Sequence, residues 1–452
     1  MQNESLSWKE RILSRPGPPG DDRSRMRQVM NSLVLHLHPA KVPVPALRFT
    51  YTWGLGGIST ILALLLIVTG VLLMFRYDAS VERAYTSIQV LETEVAFGSL
   101  LRGLHHWSAN LLLVAVVLHL VRVFYTGGFK AGRAGNWVLG MILLLMVVAF
   151  NFTGYLLPWD QLAFWAVTVA TSLLAYIPLV GAAVSNLLLG GPEVGQSALR
   201  NFYAIHVAVL PALLLLLMSF HFWRVRKDGG ISQPKSDAGP VERVTTIPHL
   251  VQIEFAATVA LLAALAVWAM QVPAPLEALA NPAHPPNPAK AAWYFMGLQE
   301  LLLHFHPTFG AIVIPVLALL ALALIPYQRF DLSAEGIWFR SRRGRQMAVV
   351  AVIAGLVLTP ALVLLDEYWL DLPELLPSLP TIIANGWVPL AALLLGLLGF
   401  YEIMRRAFRA TACETRQSLF ILLVVGFVVL TVIGVAFRGE GMALMWPWEV
   451  LS

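Results

Sequence analysis

Long apolar segments recur along the chain, and charged residues are concentrated in the stretches between them. Each segment is close to the length of about 20 helical residues that crosses the hydrocarbon core of a bilayer. The pattern therefore predicts nine membrane helices, of which the sixth is the shortest. The predicted spans are residues 52–75, 99–121, 137–157, 203–223, 250–271, 310–326, 346–365, 387–404 and 418–437.

Composition agrees with an all-α polytopic membrane protein. Hydrophobic residues fill 58% of the 452 positions and charged residues only 13%, and the mean hydropathy is +0.71, which excludes a soluble globular protein. The net charge of +5 is explained by basic loops on one side of a membrane, so we expect no nucleic-acid partner. Cys413 is the single cysteine, which excludes an intramolecular disulfide or a cysteine-held metal cluster.

Basic residues alternate between the two sides of the predicted membrane. The N-terminal segment and the second, fourth, sixth and eighth connections are rich in Lys and Arg, whereas the other connections are mostly acidic. Because cytoplasmic loops are enriched in Lys and Arg, this alternation predicts a cytoplasmic N-terminus and a periplasmic C-terminus. The expected location is a bacterial inner membrane, with no cleavable signal peptide.

Four histidines form two matched pairs on the second and fourth predicted spans. His105 and His119 are 14 residues apart, and His206 and His221 are 15 apart, which places the two rings of each helix roughly 21 to 22 Å apart on broadly one face. An imidazole at membrane depth is costly unless it is used, and the iron of a b haem takes one imidazole on each side. Both helices enter from the outer side, so the predicted iron ligands are His105 with His206 and His119 with His221. The alternative for any one of them is a hydrogen-bonded side chain inside the bundle.

Glycines on the neighbouring spans repeat the same 14-residue step. Glycine lets a flat ring approach a helix backbone closely, although glycine also serves ordinary helix packing in membranes. The matching step favours clearance for haem. The glycines are Gly56 and Gly70 on the first span and Gly140 and Gly154 on the third.

Two arginines on the second span lie one helical turn beyond its two histidines, one at each end. Arg102 precedes His105 by three residues, and Arg122 follows His119 by three. An arginine can bind the carboxylate of a haem propionate, so we expect both to contact haem. The alternative is an arginine that extends to the lipid headgroups.

Several segments resemble the cytochrome b subunit of the quinol to cytochrome c or plastocyanin oxidoreductases. The likeness is strongest to the plastid-type branch and covers about residues 45 to 330. The resemblance implies a dihaem four-helix domain at 49–230 and a fused C-terminal half with a quinol-site loop at 245–345. The charge pattern predicts a cytoplasmic segment at 1–48, and the apolar runs predict additional membrane helices at 346–452. The segments read LLRGLHHWSA from Leu100, RVFYTGGFK from Arg122, GYLLPWDQ from Gly154 and VGQS from Val194, followed by FYAIH ending at His206.

The resemblance also implies cofactors, partners and quinone sites. Two b haems would carry electrons from quinol across the membrane, coupled to proton translocation, with a Rieske iron-sulfur protein and a c-type cytochrome as partners in a dimeric, lipid-embedded complex. The outer quinol site would be walled by Tyr155, Pro158, Trp159, Phe164, Ala166, Trp293 and Tyr294. Arg226, Lys227 and His249 would contact quinone at the inner site, with an ordinary basic loop as the alternative.

Two departures from the family pattern change these expectations. The usual Pro-Glu-Trp-Tyr sequence reads Ala-Ala-Trp-Tyr at 291–294, so the expected proton-accepting carboxylate is absent. Glu300 is the first candidate to replace it, with Asp160 or His304 as alternatives; otherwise the subunit does not bifurcate electrons. The cysteine that tethers a c-type haem in the plastid-type branch is replaced by Gly54, so we expect no covalent haem.

Two other functions compete with this interpretation. One keeps both haems in a quinone-reactive anchor that has no Rieske partner. The other is a proton-coupled transporter in which the histidines relay protons. The transporter predicts broken helices and no haem absorbance.

Overall fold

A computed structural model of the chain describes residues 20–31, 38–130, 132–232, 241–328 and 337–450. Residues 1–19 and 32–37 of the predicted cytoplasmic segment lie outside these ranges. The described helices outside the apolar spans are α1 (Asp22–Asn31), α2 (Phe49–Thr52), α4 (Ala84–Thr93), α7 (Gln161–Leu173), α8 (Gly181–Leu189), α11 (Met296–His304), α14 (Leu372–Leu375) and α17 (Pro447–Val450).

Within the described residues, nine helices have the length and composition of membrane spans. This confirms the predicted number and the all-α polytopic fold. The spans are α3 (Leu55–Met74), α5 (Gly98–Tyr125), α6 (Ala134–Tyr155), α9 (Gln196–Lys227), α10 (Thr246–Gln271), α12 (Thr308–Tyr327), α13 (Arg342–Tyr368), α15 (Ile383–Ala407) and α16 (Ala412–Ala436).

Regular β structure in the described ranges is confined to a two-stranded antiparallel sheet near the N-terminal end of α10. Strand β1 (Lys41–Pro43) pairs with β2 (Arg243–Thr245), with Lys41 opposite Thr245. The sheet therefore ties the segment before α3 to the start of α10.

Three of the membrane helices contain a wide π turn, and each π turn is followed two residues later by a proline. The turns are Ile205–Val209, Thr308–Val313 and Ile383–Trp387, and the prolines are Pro211, Pro315 and Pro389. Proline lacks an N–H and its ring clashes with the carbonyl four residues earlier, which a locally widened turn relieves. The first of these turns places His206.

Helices α3, α5, α6 and α9 surround a common apolar core. Leu62, Leu112, Met146 and Leu214 are among its buried members. Along α5, Leu112 lies midway between His105 and His119, so this core separates the two histidine levels.

The last membrane helix, α16, packs closely on two other helices through small residues. An added Cβ on Gly355 of α13 would lie 2.7 Å from Val425 Cγ1, and one on Gly297 of α11 would lie 2.7 Å from Thr431 Oγ1. Close backbone approach of this kind is how membrane helices associate. Helix α16 therefore holds both α13 and the short helix α11.

Candidate functional site

The first histidine pair, His105 of α5 and His206 of α9, is called the outer pair after the predicted orientation. The two ring centroids are 6.3 Å apart and the ring planes meet at 68°. A metal ion bound to one nitrogen of each ring, at about 2 Å per bond, separates the ring centres by about 6 Å. The spacing of the outer pair therefore fits a bis-imidazole iron site.

A threonine hydroxyl determines which nitrogen of each outer imidazole carries the proton. Thr69 Oγ1 lies 2.9 Å from His105 Nδ1, and Thr153 Oγ1 lies 3.1 Å from His206 Nδ1. Each hydroxyl donates its own proton, at 2.8 Å, to the backbone carbonyl four residues earlier. It must then accept a hydrogen bond from Nδ1–H, which leaves Nε2 free for a metal. Both threonines directly precede a predicted glycine, which is the sequence signal for them.

Each of the four predicted glycines lies against one of the four histidines. A side chain at any of these positions would occupy space beside an imidazole ring. By contrast, an added Cβ on the adjacent Gly57 meets nothing within 4 Å. The distance from an added Cβ to the imidazole Cε1 is 3.4 Å for Gly56 and His119, 3.2 Å for Gly70 and His105, 3.8 Å for Gly140 and His221, and 2.6 Å for Gly154 and His206.

The second pair, His119 and His221, is called the inner pair, and its two side chains line one cavity. Arg122 Nη2, His221 Nδ1 and Ser232 Oγ are buried in its lining and have no hydrogen-bond partner among the described residues. A buried polar group left unpaired costs about 1–3 kcal/mol. Arg122 and Ser232 together suit a carboxylate such as a haem propionate, and the contact of Arg122 with haem stays a prediction.

The structure places Arg102 differently from the prediction. Its guanidinium forms an ion pair with Glu92, and it donates to the carbonyls of Ala274 at 3.0 Å and Pro275 at 2.6 Å. The segment after α10 folds over this side chain, and its carbonyls accept hydrogen bonds from the guanidinium. Arg102 therefore holds that segment against α5 and makes no contact suited to haem in this arrangement.

Tyrosines from two distant segments meet at the outer end of the bundle. Tyr294 packs against the apolar core of the four helices, and burial raises its pKa, with the neighbouring Tyr155 phenol adding to the effect. Trp159 is 4% exposed and has a left-handed backbone conformation with φ of 56°, which is unusual for a bulky residue. The structure thus brings together part of the predicted quinol-site wall, and Pro158 lies half-buried in the same turn.

Trp293 is fixed by a hydrogen-bond chain that reaches α5. Its Nε1 donates to Asn110 Oδ1 at 2.5 Å, and the amide nitrogen of Asn110 lies 3.2 Å from His106 Nε2. His106 therefore faces Asn110.

Glu300 does not lie where a free proton acceptor is needed. It is fully buried and binds Arg438, whose guanidinium holds both carboxylate oxygens. Burial alone would raise its pKa, but the bonds to His304 and Arg438 lower it. Glu300 also lies in the middle of α11, whereas Tyr294 lies in the turn before that helix begins. The structure therefore argues against the predicted role of Glu300 as the quinol base.

Asp160 is better suited than Glu300 to accept a proton. Burial raises the pKa of its carboxyl. Its Oδ1 accepts the backbone N–H of Ala163 at 2.9 Å, whereas its Oδ2 accepts only a longer bond of 3.3 Å from Glu277 N. A buried carboxyl with a raised pKa and a weakly held oxygen has the properties of a general base.

The predicted inner quinone residues do not gather at the inner pair. Arg226 Nη2 contacts Met30 Sδ of α1 at 3.0 Å, Lys227 lies over the Trp223 ring, and His249 is exposed at the start of α10. The cavity beside His221 is lined instead by Arg133, Asp228 and Ser232 among others.

His38, which lies just before β1, contacts a residue of α10. It is partly buried, and its Nε2 lies 2.9 Å from Glu254 Oε2. Glu254 is an acidic residue inside the predicted fifth span, a position that by itself marks a functional candidate. That signal was available in the sequence, but the distant partner was not.

Comparisons with known proteins agree with this geometry. The family model "Cytochrome b/b6/petB" matches residues 41–229. The cytochrome b6 of Synechococcus sp. (strain CC9902) is 45% identical over 180 residues, which are 40% of this chain and 82% of that protein. Cytochrome b6 of Acaryochloris marina (strain MBIC 11017) is 43% identical over 180 residues, covering 83% of its length.

A solved structure shares the fold over most of the chain. It is a chain of "Hyperthermophilic respiratory Complex III", with a TM-score of 0.63 and 22% identity, covering 92% of this chain and 98% of that one. The residues matched by the family model include both histidine pairs, and this structural likeness extends to the later helices. The chain belongs to the cytochrome b/b6 family.

Proposed function

We propose that this chain is the haem b subunit of a membrane quinol oxidoreductase. The observation that carries the proposal is the matched set of four histidines on α5 and α9. Each of them has a glycine of α3 or α6 against its ring. When bound, two b haems supply one-electron transfer between the outer and inner sides of the membrane. The cytochrome b6 relatives support the b-type cofactor.

The protein's own part in this function is to hold the cofactors and exclude water. His105 and His206 would bind the outer iron through Nε2, and His119 and His221 would bind the inner one. The apolar core around Leu112 keeps the space between the two levels dry. A low-polarity path of this kind prevents proton leakage along the route that the electrons take.

Quinol oxidation would take place beside Tyr155, Trp159 and Tyr294 at the outer end. The proton of a quinol hydroxyl would pass to Asp160 Oδ2, whose raised pKa favours the protonated product. A Rieske protein and a c-type cytochrome would take electrons from the complex on the periplasmic side, with the N-terminus of this chain in the cytoplasm. Quinone would be reduced near the inner pair with protons from the cytoplasm.

A haem measurement on the purified complex tests the proposed function. We expect a reduced-minus-oxidised spectrum of b type and about two acid-extractable haems per chain, one for each histidine pair. No haem should stay attached to this polypeptide in a denaturing gel, because Gly54 offers no thiol. Absence of haem absorbance would favour the transporter. Haem without an iron-sulfur protein in the complex would favour the quinone-reactive anchor.

Asp160→Asn and Glu300→Gln together identify the proton acceptor at the outer site. We expect Asp160→Asn to lower the rate of quinol oxidation by about 10²–10⁴-fold, the usual range for loss of general base catalysis. Glu300→Gln should affect the rate less, because Arg438 already holds that carboxylate. The measurement is steady-state quinol oxidation by the complex at saturating quinol. A greater loss in Glu300→Gln than in Asp160→Asn would return the role to Glu300.

A further inference from the structure

A cluster of charged residues with a buried centre joins α11 to the C-terminal helices. It consists of Glu300, His304, Asp366, Glu367 and Arg438, and we call it the clasp. The Arg438 and Glu300 side chains are 1% and 0% exposed. Glu300 and His304 belong to α11, Asp366 and Glu367 to the end of α13, and Arg438 follows α16. The clasp therefore links three separate parts of the chain at one place.

Arg438 forms the centre of the clasp. Its Nη2 lies 2.6 Å from Glu300 Oε1, and its Nε lies 3.1 Å from both oxygens of that carboxylate. Its Nη1 binds Glu367 Oε2 and the carbonyl of Met442, each at 2.9 Å. A planar guanidinium can hold two carboxylates in fixed directions, which an ammonium cannot do.

His304 extends the clasp toward the end of α13. Its Nδ1 lies 2.6 Å from Asp366 Oδ2, and its Nε2 lies 3.3 Å from Glu300 Oε1. Burial alone would lower the pKa of His304, but the hydrogen bonds to Asp366 and Glu300 outweigh burial and raise it to about 9. At neutral pH the ring is therefore charged and donates through both nitrogens.

The position of α11 explains why a clasp would matter. The helix follows directly after Trp293–Phe295, and it is nine residues long, too short to be stable without packing. It packs on α16 at two glycines, Gly297 of α11 and Gly434 of α16. An added Cβ on Gly434 would lie 3.0 Å from Met296 Cε. Its orientation thus depends on α16 and on the clasp.

We propose that Arg438 is a positioning residue of the outer quinone site, which holds α11 so that Trp293 and Tyr294 face the haem-binding bundle. The proposal rests on the proposed quinol oxidation. It gives the ninth membrane helix a role, since α16 carries Arg438 to the buried carboxylate of α11. The clasp does not serve as a proton path in this arrangement, because Arg438 occupies both oxygens of Glu300 and keeps that carboxylate ionised.

The test compares Arg438→Gln and Arg438→Lys with wild type in the intact complex. We expect Arg438→Gln to lower kcat/KM for quinol by about 10–100-fold, mainly through KM, because the site wall is displaced while the reacting groups remain. Hydrogen–deuterium exchange of residues 293–304 should become faster, and haem content should be unchanged. Arg438→Lys keeps the charge without the planar fork and should recover part of both effects.

Arg406→Gln is the matched control. Arg406 pairs with Glu402 on the surface of α15, and its side chain is 82% exposed. We expect wild-type kinetics and exchange from this variant. If Arg438→Gln alone fails to fold, the double variant Glu300→Gln with Arg438→Gln removes both buried charges and should restore assembly. The double variant should still show the raised KM and faster exchange.

Dependence on pH gives an independent readout of the clasp. The raised pKa of His304 means that its contribution is complete below about pH 6.5 and is lost as pH rises through about 9. The lowered pKa of Glu300 means that its contribution is lost only under acidic conditions. Exchange of residues 293–304, corrected for its intrinsic pH dependence, should therefore increase above about pH 9, and His304→Gln should abolish that increase.

Three outcomes distinguish the positioning role of Arg438 from a proton relay and from failure of the proposed function. Wild-type kcat/KM and exchange in Arg438→Gln would overturn the positioning role. A fall in kcat with a shifted pH–rate profile and unchanged exchange would also overturn it, in favour of a proton relay. A wild-type complex that binds haem but does not oxidise quinol would refute the proposed function instead, and faster exchange in Arg438→Gln would then still show the clasp.

Discussion

Replacing His206 with leucine is expected to remove the outer haem and to leave the inner one in place. The haem content of the purified complex should then fall by about half, because one of the two iron sites loses an imidazole ligand. His221→Leu should give the same loss of haem at the other level. Haem extraction, together with redox titration of the remaining b-type absorbance, measures which component disappears in each variant.

His284→Leu provides the control for these two variants. His284 is exposed in the segment before α11, so its loss should leave haem content unchanged. The assignment of iron ligands would be wrong if His206→Leu kept its full haem content. It would also be wrong if His206→Leu and His221→Leu removed the same spectral component.

Gly154→Val is expected to lower the haem content almost as much as His206→Leu, although it leaves every predicted iron ligand in place. The added Cβ alone would lie 2.6 Å from His206 Cε1, closer than non-bonded carbon atoms can approach, so the ring would have to move. Gly56→Val should act on the inner level, where the corresponding distance to His119 is 3.4 Å. We expect loss of most outer haem in the first variant and a partial loss of inner haem in the second.

Gly57→Val separates the steric effect from a general effect of valine in α3. Gly57 is the neighbour of Gly56, and an added Cβ there meets nothing within 4 Å. Its haem content should match wild type. If Gly56→Val and Gly57→Val behaved alike in haem content and redox titration, clearance beside the imidazoles would not be the reason for these glycines.

The haem-binding half of the site could be predicted from the sequence because its signals are local and periodic. The spacing of His105 and His119 along one helix determines which face and which depth each ring occupies. The glycines repeat that spacing on neighbouring helices, and the structure places each beside a histidine. Long apolar runs likewise determine the membrane helices, since length and composition alone specify them.

The proposed quinone half of the site depends on contacts between residues far apart in the chain. The position of Glu300 two helical turns after Ala292 predicts a base, but Arg438, 138 residues later, binds it. Glu92 and the carbonyls after α10 satisfy Arg102 in the same way. No periodic pattern reports such pairs, because each depends on how separate helices pack. The sequence contains one indication of such a pair, which is a carboxylate expected to be buried that has no basic partner nearby in the chain.

Under the proposed function, the two threonines beside the outer pair would give electron transfer across the membrane a preferred direction. Thr69 and Thr153 accept from the two outer imidazoles, which would make those rings more electron-donating toward a bound iron and stabilise its oxidised form. At the inner level, His221 Nδ1 has no such acceptor among the described residues. An electron would thus lose energy in passing from the outer iron to the inner one, and it could do work against an opposing membrane voltage.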